Sequence, residues 1–473
     1  MGTKLSRTTC LSQSSAPESP SPQKACGAQS ESGSPLNPSD QMETEKPVVT
    51  YRQITVLIIG AGSRGKNNCS YALCFPDRMK VIGVADPHAF ARKRLQEVHD
   101  IDKNNVFDDW KEAAEREKFA DAVIIATPDR LHKEPAVAFA KKGYHILLEK
   151  PMAVTPEDCK EIVSVCQANN IILAVGHVYR YHPVSTKIKE LLDSGIIGDI
   201  CHIQHMEPVG FWHFAHSYVR GNWRNEAESS FTLLTKSCHD IDLIHFWMGG
   251  KRCVKVSSFG NCSHFTKEHK PEGAASCCLD CAVEESCPYS AKKIYLDRAK
   301  KGYFSWPVSV VCSNGEHDIE SLTETLRHGP YGRCVYDCDN DVASHQVVNM
   351  EFEGGTTAAF TLMGFSYKTG VRKTTIYGTK GELFCEGSGP VVVHDFLQQT
   401  ETKFPPKKAF CIPLCLSAHS GGDYYLMESF VSAVAENNPS LIKTGPEETL
   451  RSHLLVFEAE RSRKENQVVY LDT

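Results

Sequence analysis

No apolar run in this chain approaches the roughly 18 residues that span a bilayer. The first residues hold no long apolar stretch of a secretory leader either. A soluble, cytoplasmic protein is therefore expected. An excess of positive charge is missing too. Lys and Arg number 52 against 58 Asp and Glu, a net charge of -6, which removes the electrostatic reason to expect nucleic acid. No internal repeat is present, so a solenoid is not expected. Cysteine, in contrast, is plentiful at 20 residues. Without a leader, thiols or metal ligands are a better default for them than bridges.

What remains is an ordinary globular composition, 41% apolar and 23% charged. A chain of 473 residues suggests about two to three domains. Residues 1–50 read as a tail, because ten serines and six prolines leave too little apolar surface to fold alone. Met1-Gly2-Thr3-Lys4-Leu5-Ser6 matches the myristoylation pattern at Gly2. The rival reading is a chance match in a Ser-rich tail. One acyl chain would give only partial, reversible membrane attachment.

Ile54 to Ile59 is a short apolar run suited to a parallel strand covered on both faces. Gly60-Ala61-Gly62-Ser63-Arg64-Gly65 follows at once, then a helix-like segment over 64–74. Strand, glycine motif and helix in that order form a dinucleotide fingerprint. Gly60 allows a tight turn, Gly62 a close approach to pyrophosphate, and Gly65 close packing of helix on strand. Asp86 ends a second strand, 81–86, where an acid binds ribose hydroxyls and disfavours a 2′-phosphate. Arg92 and Arg94 weaken that preference for NAD over NADP. Helices are predicted near 108–117, 132–142 and 156–169, the last capped by Thr155. Strands are predicted over 122–126, 145–148 and 171–175. The alternation indicates right-handed βαβ units. Thr127, Pro128, His132, Glu149, Lys150 and His177 fall at or just beyond strand ends, where such sheets gather ligands.

Further along, 231–248 reads as one helix stopped by Gly249-Gly250. His239 borders its apolar face, so a satisfied core histidine competes with a catalytic one. Phe211 to Arg224 is dense in aromatics and cations, as a sugar or polyol site would be, though packing under a loop explains single residues equally well. Strands with glycine turns at 347–362 and 374–385 form an antiparallel meander. Helices near 421–436 and 446–463 close the chain.

Five ordered motifs, GAGSRG at 60–65, ATPDRLH at 126–132, EKPMA at 149–153, GHVYRYHP at 176–183 and HDIDL at 239–243, resemble the glucose-fructose oxidoreductase / inositol dehydrogenase / MocA (Gfo/Idh/MocA) family. The resemblance implies an α/β chain: an N-terminal Rossmann dinucleotide-binding domain, 51–178, then an α+β domain, 179–473, with a large, mostly antiparallel sheet. It implies homo-oligomers through that sheet and a cleft site holding NAD or NADP. Glu149 would contact the nicotinamide ribose, Lys150 would bridge cofactor and substrate, Thr127, Pro128 and His132 would lie along the cofactor, and Arg180 near the nicotinamide end. Lys150 would polarise the substrate oxygen and His239 carry the proton. Many relatives have an aspartate four residues before this histidine; here it is Thr235, and Lys236 stands next to it as a substitute. The implied activity is hydride transfer at a CH–OH group of a sugar, polyol or related molecule. Glycoside cleavage by transient oxidation and elimination, and a non-catalytic NAD(P)-binding regulator, are the alternatives.

The stretch 260–340 reads as a Cys-rich insert. Cys278, Cys281 and Cys287, with Cys334 beyond, have the short loop spacing of thiolate ligands. Structural zinc, an iron–sulfur site and reduced thiols all fit that pattern. It is not a standard finger, and no His pair completes it.

Overall fold

The computed structural model describes residues 52–312, 315, 318–406, 412–413 and 416–471. Gly2 and the rest of the tail lie outside these residues. Among the described residues no helix is long and apolar enough to cross a membrane.

Six strands, β1 (Ile54–Ile59), β2 (Met79–Ala85), β3 (Val106–Phe107), β4 (Ala122–Ile125), β5 (His145–Leu148) and β6 (Leu173–Val175), form one parallel sheet in the order β3-β2-β1-β4-β5-β6. Every residue of β4 and β6 is buried. That explains their unbroken apolar sequence, since helices cover both faces. Thr155 caps the helix Pro156–Ala168 by accepting the Asp158 amide, with Pro156 at its first position. The predicted strand 171–175 begins two residues late, and the helix Ala89–His99 has no counterpart among the sequence expectations. That helix is poor in buried residues, with only Leu95 fully covered, so its apolar period is faint.

A second sheet has nine strands: β7 (Ile200–Pro208), β8 (Cys253–Asn261), β9 (His345–Phe352), β10 (Thr357–Met363), β11 (Lys373–Gly378), β12 (Gly381–Glu386), β13 (Val391–Asp395), β14 (Thr400–Phe404) and β15 (Val469–Tyr470). The order is β14-β13-β12-β11-β7-β10-β9-β8-β15, and only β7 and β10 pair in parallel. Between those two strands run the helical segments Phe211–Phe214, Ala215–Arg220, Thr232–Thr235 and Cys238–Trp247, then β8, the insert and β9. The expected meander is present as β9–β10 and β11–β12, with Glu351 opposite Thr357 and Ile376 opposite Leu383.

Two findings revise the sequence reading. The predicted helix 231–248 is two helices, Thr232–Thr235 and Cys238–Trp247, broken at Lys236-Ser237. And the late helix Gly422–Glu436 covers the first sheet: Leu426, Phe430 and Val434 share a core with Val56, Ile58 and Val81. The C-terminal segment thus ties the two sheets together, and the first sheet is completed from the far end of the chain.

Candidate active site

The turns after β1, β2, β4, β5 and β6 meet at one rim of the first sheet. They carry Gly60, Asp86, Thr127, Glu149-Lys150 and His177. Gly60 has φ +93° and an added Cβ would lie 2.5 Å from Ala126 O. At Gly65 a Cβ would lie 1.9 Å from Gly60 O. Gly62 has nothing within 4 Å of its imagined Cβ. The helix Ser63–Cys74 begins there with no side-chain cap. Uncapped amides beside open space are a fitting cradle for a pyrophosphate. Asp86 reaches back to the same loop: Oδ2 accepts the Ala61 amide at 2.7 Å and Oδ1 the His88 amide at 2.8 Å. Arg92 is tied to Asp108 and to the Asp86 carbonyl, which engages it inside the protein.

These contacts separate folding from binding in two variants. Gly62→Ala is expected to melt like the parent but to raise the dinucleotide Kd about tenfold or more, about 1.4 kcal/mol. Gly65→Ala is expected to lose about 1–3 kcal/mol of stability, because backbone must move. Thermal melts alongside nucleotide titrations check both; a Gly62→Ala protein that binds as tightly as the parent removes Gly62 from the cradle.

Glu149 is buried, and its Oε1 accepts Arg64 Nε at 2.9 Å and Asn68 Nδ2 at 2.8 Å. Arg64 also pairs with Asp423 at 2.7 Å. Burial would lower the Arg64 guanidinium, yet Asp423 and Glu149 raise it above its usual value. Lys150 Nζ donates to Thr235 O at 2.6 Å. The break at Lys236-Ser237 leaves that carbonyl available, so the revised helix is what positions the ammonium. His239 follows one turn later. Its Nδ1 lies 3.3 Å from His177 Nδ1. One imidazole therefore donates and the other accepts, and their tautomers are linked. Burial, then the Lys150 charge, holds His239 well below its ordinary range. Burial brings His177 down to about 4, and among the described residues its Nε2 has no partner. Both rings are thus neutral near pH 7, and His239 is in the state that accepts a proton.

Lys236 Nζ lies 3.2 Å from Glu207 Oε1, and Arg372 NH1 is 3.1 Å from Oε2 of the same buried carboxylate. Glu207 thus anchors the lysine that stands beside Thr235. His213 shares the environment of Lys236 and Lys150; burial, then the Lys236 charge, depresses it strongly. Its ring stands 4.8 Å from Trp306, and Trp212 is 5.3 Å from Trp306. Arg298 covers Trp212 at 4.2 Å. The insert therefore contributes one side of an aromatic wall, which its sequence did not announce. Such flat faces with cationic neighbours suit sugar rings.

Other predicted residues are engaged within the protein. His132 bridges Pro151 O at 2.7 Å and Thr127 O at 2.9 Å, clamping two rim turns together. Thr127 Oγ1 donates to Leu131 O, and Pro128 opens the short turn Asp129–Leu131. Arg180 is buried with Nε and NH2 on Asp242 at 2.6 and 2.9 Å and NH1 on Lys443 O. All three of its guanidinium nitrogens are thus engaged by protein partners.

The zinc expectation needs correction in geometry. Cys278, Cys281, Cys287 and Cys334 do line one cavity. Among the described residues, however, no three His, Cys, Asp or Glu side chains are placed to hold a metal ion. The four lining cysteines form no disulfide with one another.

Comparison with known proteins agrees with this architecture. Residues 54–177 match a model described as an oxidoreductase family, NAD-binding Rossmann fold, and 189–471 match that family's C-terminal alpha/beta domain. The chain is 25% identical over 374 residues, 75% of its length and 82% of the other's, to the putative oxidoreductase YteT of Bacillus subtilis. It is 33% identical over 144 residues to a 2,7-anhydro-N-acetylneuraminate hydratase of Mediterraneibacter gnavus, 30% of this chain and 37% of that one. The chain thus spans little more than a third of that relative. An oxidoreductase from Agrobacterium radiobacter, solved with NAD+, L-tartaric acid and magnesium, superposes with TM-score 0.63 at 14% identity, covering 88% of this chain and 98% of that one. With both models matched in order over most of its length, the chain belongs to the Gfo/Idh/MocA oxidoreductase family.

Proposed function

We propose that this protein is an NAD(P)-dependent oxidoreductase acting on a CH–OH group of a sugar, polyol or related small molecule. The observation that carries the reading is the bond of Lys150 to Thr235 O, at the break just before the helix that presents His239. A bound nicotinamide would supply the hydride acceptor. The glycine loop and the Ser63 helix start would hold its pyrophosphate, and Asp86 its ribose. With a carboxylate there and Arg92 already paired, NAD is preferred to NADP.

The chain's residues have separate tasks. Lys150 donates a hydrogen bond to the substrate oxygen and stabilises its developing charge. His239 takes the hydroxyl proton, and His177 Nδ1 orients its ring. Lys236, anchored by Glu207, binds a second oxygen of the substrate in the role the missing acid has in relatives. Trp212, His213 and Trp306 receive the ring. A screen of sugars, polyols and sugar acids, followed at the reduced-nicotinamide absorbance, tests the assignment. Steady change supports it; no change with any alcohol, and no product, overturns it.

The hydratase likeness supports a second reading, in which NAD is retained and oxidation is transient, assisting elimination or addition of water. That reading expects product without net absorbance change.

Oligomers would form through the open face of the second sheet. Phe259 and Val347 are cross-strand neighbours there, and Tyr377, Phe384 and Tyr470 are also exposed. Apolar side chains on an uncovered face favour pairing with a second copy. Phe259→Lys with Val347→Lys is expected to yield monomer by light scattering while leaving the melting temperature of each chain close to the parent's. A parent that is already monomeric at micromolar concentration refutes the interface.

A further inference from the structure

Tyr218 stands in the turn Ala215–Arg220, a single π turn with all six residues buried. Such turns are rare and gather at functional sites. Arg220 ties this one to the insert, through Arg333 O at 2.7 Å and Tyr289 O at 2.9 Å. The Tyr218 ring stacks on Phe214 at 5.2 Å, with Trp223 at 6.1 Å and His213 of the aromatic wall at 6.3 Å. Tyr218 is 3% exposed, so its ring is fixed by packing. Its hydroxyl is not. Among the described residues no group hydrogen-bonds it. The comparably buried Tyr144, Tyr181 and Tyr295 bond the Phe119 amide, Thr444 and His216 through theirs. A buried tyrosine ordinarily finds such a partner. The Tyr218 oxygen is not one of the polar atoms sealed in the core, so it opens on accessible space.

Asp129 is its counterpart. It opens the short turn Asp129–Leu131, just after Thr127-Pro128 of the rim. Its Oδ2 accepts Trp223 Nε1 at 3.0 Å and Ser229 Oγ at 3.1 Å. Both bonds fall on one oxygen. Among the described residues Oδ1 has no partner, and no cation stands within ion-pair distance of the carboxylate. That oxygen is not sealed in the core either. Trp223 joins the two residues, since its ring packs near Tyr218 while its N–H holds Asp129.

Burial, then Asp129 and Glu207, push the Tyr218 phenol well above its ordinary value, with Cys238 and Asp240 adding to the shift. Tyr218 is therefore a donor and not a phenolate. Glu207 anchors Lys236, and Cys238 precedes His239. The hydroxyl thus shares the space of the chemistry proposed above. A donor beside an unpaired carboxylate calls for a group that accepts from one and donates to the other. A neutral hydroxyl does both. A carboxylate is repelled by Asp129 and Glu207, and an ether or carbonyl oxygen offers Asp129 no proton.

Resting on the oxidoreductase reading, we propose that Tyr218 and Asp129 form a subsite for one neutral hydroxyl of the substrate, beyond the oxygens taken by Lys150 and Lys236. Tyr218 donates to that hydroxyl's oxygen, and Asp129 Oδ1 accepts its hydrogen; no covalent bond changes there. The substrate is then a polyhydroxy compound, with a second hydroxyl near the carbon that is oxidised, rather than a simple alcohol.

The test uses the full chain loaded with NAD+. The probes are D-glucose, myo-inositol and the other sugars and polyols of the screen, each beside its monodeoxy analogues. The parent is expected to lose about 10–100-fold in kcat/KM on one monodeoxy analogue, the usual effect of leaving buried polar groups unpaired. Tyr218→Phe keeps the ring. It should raise KM for the complete polyol by a similar factor, change kcat less, and lose little more on that analogue. Its melting temperature and NAD+ Kd should match the parent's. Asp129→Asn should likewise blunt the preference for the complete polyol; should it fail to fold, Tyr218→Phe decides. A parent that oxidises a polyol while Tyr218→Phe keeps its KM and its preference overturns the subsite alone. So does a parent that treats a polyol and all its monodeoxy analogues alike. A parent that turns over no alcohol of the screen overturns the oxidoreductase reading, and the subsite with it.

Discussion

Lys150→Ala is expected to lower kcat by about 10²–10³-fold, the loss typical for one preorganised donor at a developing oxyanion. The dinucleotide Kd should change little. The glycine cradle and Asp86 lie on other turns, and Glu149 keeps its bonds to Arg64 and Asn68 without the lysine. Removal of the ammonium also removes a charge that depresses His239. The sign follows directly. Alcohol oxidation needs His239 unprotonated, so its acid limb lies below the ordinary histidine range in the parent. Without the nearby cation, that limb should move to higher pH. A variant with little activity but a displaced limb identifies both effects at once; Lys150→Ala with parental kcat removes the lysine from the chemistry. Thr235 offers a control, because the contact uses its backbone oxygen. Thr235→Ser should therefore leave the ammonium in place.

The readable parts of this site share one property: their cause is local. An apolar run followed by GAGSRG specifies strand, turn and helix start, because Gly60 and Gly65 meet backbone where no Cβ fits. Thr155-Pro156 writes a helix start in two residues. The parts that escaped depend on distant partners. Nothing in Thr232 to Cys238, with neither Gly nor Pro, announces a break. The break coincides with Lys150 on Thr235 O and Glu207 on Lys236, contacts made across the chain. Glu207 and Asp423 escaped for the same reason: a buried carboxylate in a strand or helix start has no motif until its cation, Arg372 or Arg64, arrives. Trp306 reaches the aromatic wall only because the insert folds back on Trp212. The four cysteines were visible as a group, but spacing could not tell ligands that converge on one point from thiols that only line the same cavity.

Arg180→Ala is expected to cost about 3–5 kcal/mol, the typical loss when one partner of a buried ion pair is removed. Both side chains are almost fully buried, with Asp242 at 0% exposure. Burial alone would raise the Asp242 carboxyl, but Arg180 beside it more than offsets this and holds it near 2. In the parent, that pair contributes stability above the ordinary aspartate range and loses it as pH falls toward 2. In the variant the carboxyl is raised instead, so it binds a proton on mild acidification and no longer needs a counter-charge. The stability gap between parent and variant should then narrow as pH falls from 7 toward 4, measured by urea unfolding at each pH. A gap that stays constant with pH would mean lost packing of Arg180 over Phe246, 5.1 Å away, rather than lost charge. Arg180→Met with Asp242→Leu separates the two further, since apolar replacement of a whole buried pair is often neutral. The pair joins the turn after β6 to the helix Cys238–Trp247, the same two elements whose histidines 177 and 239 touch. The double variant should therefore regain stability while its kcat stays low, because packing can replace the attachment but not the angle at which His239 is presented.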